Sequence, residues 1–172
     1  MIEQTSVGLI AEIPGQMNQL VLGSLPGKLS LQQKEYYANP RNAFWRIMAS
    51  LYSFDPNLPY LDRLNLLKQQ HVGLWDTISE ARRPGSLDSS IDSKTIRVNQ
   101  LHQLICEHSS LSQIIFNGQT SAKVFRQQVV PLIPQPRLQR LQLVTCPSTS
   151  PAFASMSFEE KLDRWQSAFN IR

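Results

Sequence analysis

The feature that most constrains this chain is a rhythm. Short apolar runs closed by turn residues alternate with longer stretches whose apolar residues recur at helical spacing. Gln19 to Leu22 (QLVL) is an apolar run that ends at Gly23 and the tight turn GSLPG. Asn42 to Tyr52 sets Phe44, Ile47, Met48 and Leu51 on one helical stripe, and Pro40 just ahead suits a helix start. Leu58 to Gln70 carries a second stripe of Leu61, Leu64, Leu67 and Lys68, and His71 to Ile78 reads as a strand or an extended segment. Residues 82–95 (RRPGSLDSSIDSKT) are polar and turn-rich, which predicts a loop. Ile96 to Glu107 reads as a helix, Gln113 to Phe116 as a strand, and Asn117-Gly118 as a turn. Thr120 to Val130 is the next helix, ended by Pro131, Pro134 and Pro136; Leu141 to Thr145 is a last buried strand. Pro147 to Pro151 forms a Ser/Thr/Pro turn, and Ser157 with Glu160 makes a capping box that opens a final helix to Phe169. Strands alternating with helices predict an α/β chain with a parallel sheet covered on both faces.

At 172 residues the chain has room for about one domain. A domain of that length buries about 70% of the surface it exposes when unfolded. Charged residues are only 17% and apolar ones 41%, which excludes a disordered, highly charged chain. Two cysteines, Cys106 and Cys146, are too few for a disulfide scaffold, a four-cysteine zinc site or a four-cysteine iron–sulfur cluster. The histidines, His71, His102 and His108, have no metal-ligand spacing with them, so no metal site is expected. Net charge is +4, a mild lean toward polyanionic partners. The opening MIEQTSVGLIAEIPG lacks the pattern of a signal peptide, and no apolar run approaches the roughly 20 residues that span a bilayer. The expectation is a cytoplasmic, single-domain protein with no membrane partner.

In a parallel α/β sheet, ligands bind beyond the carboxyl ends of the strands. Here those ends are Gly23 to Gly27, Asp76, Asn117-Gly118 and Pro147 to Pro151. GSLPGKLS has the look of a phosphate-binding loop but spaces its glycines G-x3-G-K, and Leu29 separates Lys28 from Ser30. It is not a nucleophile elbow either, since G-S-L-P-G is not G-x-S-x-G. The densest constellation is Tyr36 to Trp45 (YYANPRNAFW), with four aromatics, an arginine and two asparagines. The apolar stripe accounts for Phe44 and Trp45 but not for Tyr36, Tyr37 and Asn42. A flat ring beside a carboxamide suits stacking on a base while the amide reads or hydrates it.

GSLPG, YYANPRNAFW, GLWD, RPGSLDSSI, FNGQTSAKVF, PSTSPAF and SFEEKLDRW follow one another in that order. Together they resemble the hypoxanthine-DNA glycosylase family of the uracil-DNA glycosylase superfamily, and more distantly the mismatch-specific uracil/thymine glycosylases. The resemblance runs from about Val7 to Trp165. It implies a three-layer αβα sandwich around a four-stranded parallel sheet. It also implies removal of a deaminated base (hypoxanthine, with uracil or xanthine as further substrates) by base flipping and hydrolysis of the N-glycosidic bond. No metal or cofactor is implied, the product is an uncut abasic site, and the partner is DNA, bound by a monomer. Residue by residue, GSLPG occupies the first motif, where the mismatch-specific enzymes hold water with an asparagine; that position is Leu25 here. The resemblance shifts the catalytic role to Asn42 of the P-R-N-x-F-W block, with Asp76 as a second catalytic group that polarises water or accepts from a base N–H. Tyr37 matches the aromatic that stacks on the flipped base, and Gly23, Ser24, Leu25, Pro26 and Asn39 join it in holding the base. Gly27, Arg41 and the second-motif residues Ser148, Thr149 and Ser150 are matched to the DNA backbone. The family commonly has histidine where this chain has Asn39, which keeps a donor but carries no charge. Two alternatives stay open: a G:U/G:T mismatch-specific glycosylase, from the more distant resemblance, or, on Leu25 and Asn39, a catalytically weak DNA-binding homologue.

Overall fold

The computed structural model describes residues 5–170. A short strand, β1 (Thr5–Val7), leads to β2 (Gln19–Gly23), which is the expected QLVL run. Next come three helices, α1 (Lys28–Gln33), α2 (Phe44–Tyr52) and α3 (Tyr60–Gln69), and strand β3 (Val72–Asp76). Strand β4 (Ile78–Arg82) follows after one residue, then two short 3-10 turns at 88–90 and 93–95, and strand β5 (Arg97–Val98). Helix α4 (Leu101–Glu107), strand β6 (Gln113–Asn117) and helix α5 (Gln119–Val124) lead into a wider π-helical turn over 125–129. Helix α6 (Gln135–Leu138), strand β7 (Gln142–Cys146) and helix α7 (Phe158–Ala168) complete the described chain.

The main sheet has the order β3-β2-β6-β7 and is parallel throughout. Side chains alternate across it, as strand pleating requires. Val21 and Ile115 face a layer built by α2, α3 and α7, with Phe44, Ile47, Leu67 and Trp165 fully or almost fully buried. Leu20, Leu22, Ile114 and Phe116 face the opposite layer, where Leu101, Ile105, Phe125 and Val129 pack. This is the expected three-layer αβα sandwich. Helix α7 begins with the expected capping box: Glu160 N–H donates to Ser157 Oγ at 3.1 Å, and Ser157 N–H donates to the Glu160 carboxylate at 2.7 Å.

Several local expectations are corrected. His71 to Ile78 is not one strand: β3 stops at Asp76, and Thr77 turns the chain into β4 of a second sheet, antiparallel, with order β1-β4-β5. The switch is fixed by Thr77 N–H donating to the Gly23 carbonyl at 2.8 Å and by the Thr77 and Ser121 hydroxyls, 2.8 Å apart. Ile96 to Glu107 is likewise split, because Arg97–Val98 pairs with β4 before α4 starts at Leu101. The helix expected over Thr120 to Val130 widens to π geometry after Val124. Leu61 is 68% exposed, so the stripe of α3 rests on Leu64 and Leu67. Apart from Leu61, which lies on the ten-residue α3, each correction involves an element of only two to six residues or a one-residue junction, too short for hydrophobic periodicity to define. Helix α1, directly after GSLPG, was hidden for the same reason.

Candidate active site

All four strands of the main sheet end at one cleft of about 1020 Å³. Gly23, Asp76, Asn117 and Cys146 stand at those ends and line it. Every residue proposed above for catalysis, base holding or backbone contact lines this same cleft, although they span Gly23 to Ser150 in sequence.

One wall is the GSLPG turn between β2 and α1. Leu25 is only 5% exposed, and its side chain packs with Ile78, Ala81 and Val124 beneath the loop. Leu25 and Pro26 therefore offer the cleft their backbone and surface edge rather than a reading group. Their carbonyls both accept from Arg83, whose guanidinium reaches Leu25 O at 3.0 Å and also binds Pro26 O. Arg83 is 2% exposed, and burial lowers its pKa. On the rim, Ser24 Oγ donates to Asp88 Oδ1 at 2.7 Å and Lys28 N–H donates to Ser86 Oγ at 3.0 Å. These bonds bring the polar segment 84–90 against the GSLPG turn, and Ser86, Leu87, Asp88 and Ser89 line the cleft beside it. Leu87 is 52% exposed there. The sequence placed this segment in a loop and gave it no part in the site. Its RPGSLDSSI block was the only signal.

The opposite wall is Tyr36 to Asn42. Tyr36 belongs to the core: its hydroxyl donates to the Ile10 carbonyl at 2.8 Å, and its own carbonyl accepts from Trp45 Nε1 at 2.9 Å. Tyr37 adopts a left-handed backbone (φ 57°), a strained conformation for an aromatic residue. Its ring stacks on Phe44 with centroids 4.0 Å apart. Its hydroxyl is buried without a hydrogen-bond partner among the described residues, and burial together with the nearby Asp76 carboxyl pushes its pKa well up. Asn39 Oδ1 accepts from Arg41 N–H at 3.0 Å, and Asn42 N–H donates to the Asn39 carbonyl at 2.8 Å. This tight turn aims Asn42 at the start of α2. Asn42 Oδ1, one residue ahead of the N-cap Ala43, accepts the Phe44 N–H at 2.9 Å, so the carbonyl half of the amide satisfies the first backbone donor of α2. The Nδ2 donors, with no partner among the described residues, are what Asn42 offers the cleft.

Asp76 forms the floor. It is 3% exposed, and its Oδ2 has no hydrogen-bond partner among the described residues. Burial, with the Asp88 charge adding to it, pushes its carboxyl up to about 7 against a smaller opposing pull from Arg83. Gly23 makes room for it: a Cβ there would lie 2.5 Å from Asp76 Oδ1 and 3.3 Å from the Tyr37 hydroxyl. No other residue type fits at 23 while these two side chains stay in place.

The third wall is the turn after β7. Asn117 Nδ2 donates to Thr149 Oγ1 at 2.8 Å, and Thr149 N–H donates to Asn117 Oδ1 at 2.9 Å. The Thr149 carbonyl accepts from Ala43 N–H at 3.0 Å, tying this turn to the start of α2. Thr149 is 1% exposed, so it positions its neighbours. Ser148 and Ser150 are the half-buried hydroxyls that face the cleft. Asn117 stood at a strand end recognised from sequence, yet its lock on Thr149 is visible only in the fold. Among the described residues, no group of three or more His, Cys, Asp and Glu could hold a metal ion, and no helix is long and apolar enough to cross a membrane.

Comparison with known proteins agrees with this architecture. The model of the uracil DNA glycosylase superfamily matches residues 11–170. A protein of Methanosarcina barkeri named hypoxanthine DNA glycosylase is 37% identical over 105 residues, covering 60% of this chain and 65% of that protein. A Methanosarcina acetivorans protein of the same name is 34% identical over 106 residues, with the same coverage. The matched region thus spans slightly less than two thirds of these relatives' length. The solution NMR structure of a Methanosarcina acetivorans protein proposed to be a uracil DNA glycosylase superposes with a TM-score of 0.79 at 28% identity, covering 96% of this chain and 97% of that one.

Proposed function

The chain belongs to the uracil DNA glycosylase superfamily, and from that premise we propose that it is a monofunctional DNA glycosylase that removes deaminated bases, hypoxanthine first among them, with uracil and xanthine as further substrates. The observation that carries this reading is the convergence, in one cleft, of an amide with free donors and a buried carboxyl. Asn42 reaches it from the start of α2 and Asp76 from the end of β3. The two relatives named hypoxanthine DNA glycosylase support the choice of base.

A base stacked inside a duplex cannot reach such a cleft, so the nucleotide is extruded, at about a few kcal/mol and less where deamination has already spoiled the pair. Phosphates on either side are held by Arg41 and by the half-buried backbone and hydroxyls of Gly27, Ser148 and Ser150, which fix position without reading sequence. Breaking the N-glycosidic bond leaves positive charge on the sugar and negative charge on the departing base. Asn42, its carbonyl engaged with Phe44 N–H, is preset to donate toward that negative charge. An amide does not remove a proton, so rate enhancement comes from orientation and electrostatics, with Asp76 as the one ionisable group on the floor able to polarise a water.

Incubating the protein with deoxyinosine- and deoxyuridine-containing duplexes, then cleaving abasic sites with alkali, tests the reading. Breaks at the modified position only after alkali are the expected result. DNA binding with no break on any substrate would overturn it in favour of a DNA-binding homologue without catalysis, the reading that Leu25 and Asn39 favour.

A further inference from the structure

Two buried polar atoms of this cleft have no partner of their own, Tyr37 Oη and Asp76 Oδ2. Both side chains crowd the bare face of Gly23, where a single added carbon would touch them. A buried, unpartnered polar group is costly, and its persistence in a cleft points to a partner that arrives from outside. The two atoms are of opposite kind. The phenol keeps its proton, because burial and the neighbouring Asp76 raise its pKa by more than the nearby Asn117 amide, itself engaged with Thr149, lowers it, so Tyr37 presents a donor. Asp76 in its ionised form presents only acceptors.

We propose that Tyr37 and Asp76 form a paired reader for the lactam edge of a deaminated base: the Asp76 carboxylate accepts the ring N–H, and the Tyr37 hydroxyl donates to the adjacent carbonyl oxygen. The proposal deepens the glycosylase reading above and rests on it. Hypoxanthine, xanthine and uracil share this N–H/C=O edge. Adenine and cytosine reverse it, with a ring-nitrogen acceptor beside an amino donor, and so set acceptor against carboxylate and donor against hydroxyl. A site built to hydrogen-bond one pattern strongly rejects the inverse, because its own buried groups are then left unpaired. The reader assigns Tyr37 a task different from stacking, since one face of its ring is already taken by Phe44. It also accounts for the strained backbone that holds the hydroxyl against the floor. Glycine at 23 keeps the space between the two readers open.

The test compares deoxyinosine with deoxynebularine, the purine nucleoside that lacks both the ring N–H and the carbonyl, in otherwise identical duplexes. Single-turnover excision by the wild-type protein should favour deoxyinosine by about 100-fold or more. Tyr37→Phe keeps the ring stacked on Phe44, and Asp76→Asn keeps the shape of the floor. Each should shrink that preference at least 10-fold by slowing deoxyinosine more than deoxynebularine; loss of the Asp76 carboxyl, which also polarises water, slows both. Equal losses on both substrates, or an unchanged preference in both variants, would overturn the reader. If the wild-type protein excises neither base, the glycosylase reading fails. Fluorescence anisotropy on the same duplexes then decides the reader separately: preferential binding to deoxyinosine, lost in both variants, upholds it, and equal binding by the wild-type protein rejects it.

Discussion

In the proposed site Asn42 has a separate task for each end of its amide, the Phe44 N–H contact and a donor for the cleft, which makes them separable by substitution. Asn42→Asp retains an oxygen to accept the Phe44 N–H but has no donor to offer the cleft. We expect excision to fall at least 100-fold while the melting temperature stays within a degree or two of wild type. Asn42→Ala removes both groups and should lose activity together with about 1 kcal/mol of stability. Activity that survives Asn42→Asp would remove the donor role. Asp76 carries a different signature. Its folded pKa of about 7 lies above the ordinary carboxylate value of 3.8, so between those values the folded chain holds a proton that the unfolded chain has released. Stability therefore declines as pH rises through that window and levels off above about 7. Asp76→Asn removes the penalty, worth at most a few kcal/mol. The variant should melt several degrees above wild type at pH 8, with the gap narrowing at pH 5. Thermal melts at the two values check this, and a gap that widens at low pH would contradict the raised pKa. Excision that needs the ionised carboxyl should show the mirror image, rising with pH through about 7 in the wild type and flattening in Asp76→Asn.

At the scale of elements, the site depends on two ties that no periodicity in the sequence announces. Arg83, at the end of β4, holds the Leu25 and Pro26 carbonyls of the GSLPG turn. Arg83→Leu leaves those buried oxygens without their donor and should cost about 3 kcal/mol, read as a lower urea midpoint, along with a raised KM. Thr149→Val strips the hydroxyl that Asn117 Nδ2 holds and should cost about 1–3 kcal/mol. What was legible beforehand follows from length. Strands β2, β6 and β7, helices α2 and α7 and the capping box at Ser157 each carry a full period or a local side-chain signature, and all were found. The second sheet and the split of β3 from β4 rest on pairings between residues far apart in sequence, which local pattern does not encode, and the π turn after Val124 is a local widening over five residues, too short to show in the helical period. The same holds within the site. Strand ends and the Tyr36 to Asn42 block named the cleft residues, but burial alone revealed that Tyr36 and Thr149 are structural and that segment 84–90 forms a wall.

Over the whole molecule, a net charge of +4 suits contact with only a few phosphates, which carry no sequence information, so selectivity is left to the groups that line the cleft. For about four neutralised phosphates, log affinity should fall with log salt at a slope near −3.6. That is about a hundredfold loss between 50 and 200 mM salt, measurable by anisotropy on an abasic or undamaged duplex. A slope beyond about −7 would mean a larger basic footprint than this charge supplies. The strand order β3-β2-β6-β7 carries one more consequence, concerning time rather than geometry. It draws Gly23, Asp76, Asn117 and Cys146 to one edge only after long crossovers have closed, and such non-local pairing makes folding slow. No stretch of chain holds half a catalytic centre in advance. Excision should therefore return on refolding no sooner than the tryptophan fluorescence to which Trp165 of α7, packed on Phe44 of α2, contributes, and its recovery is a stopwatch for the last event of folding.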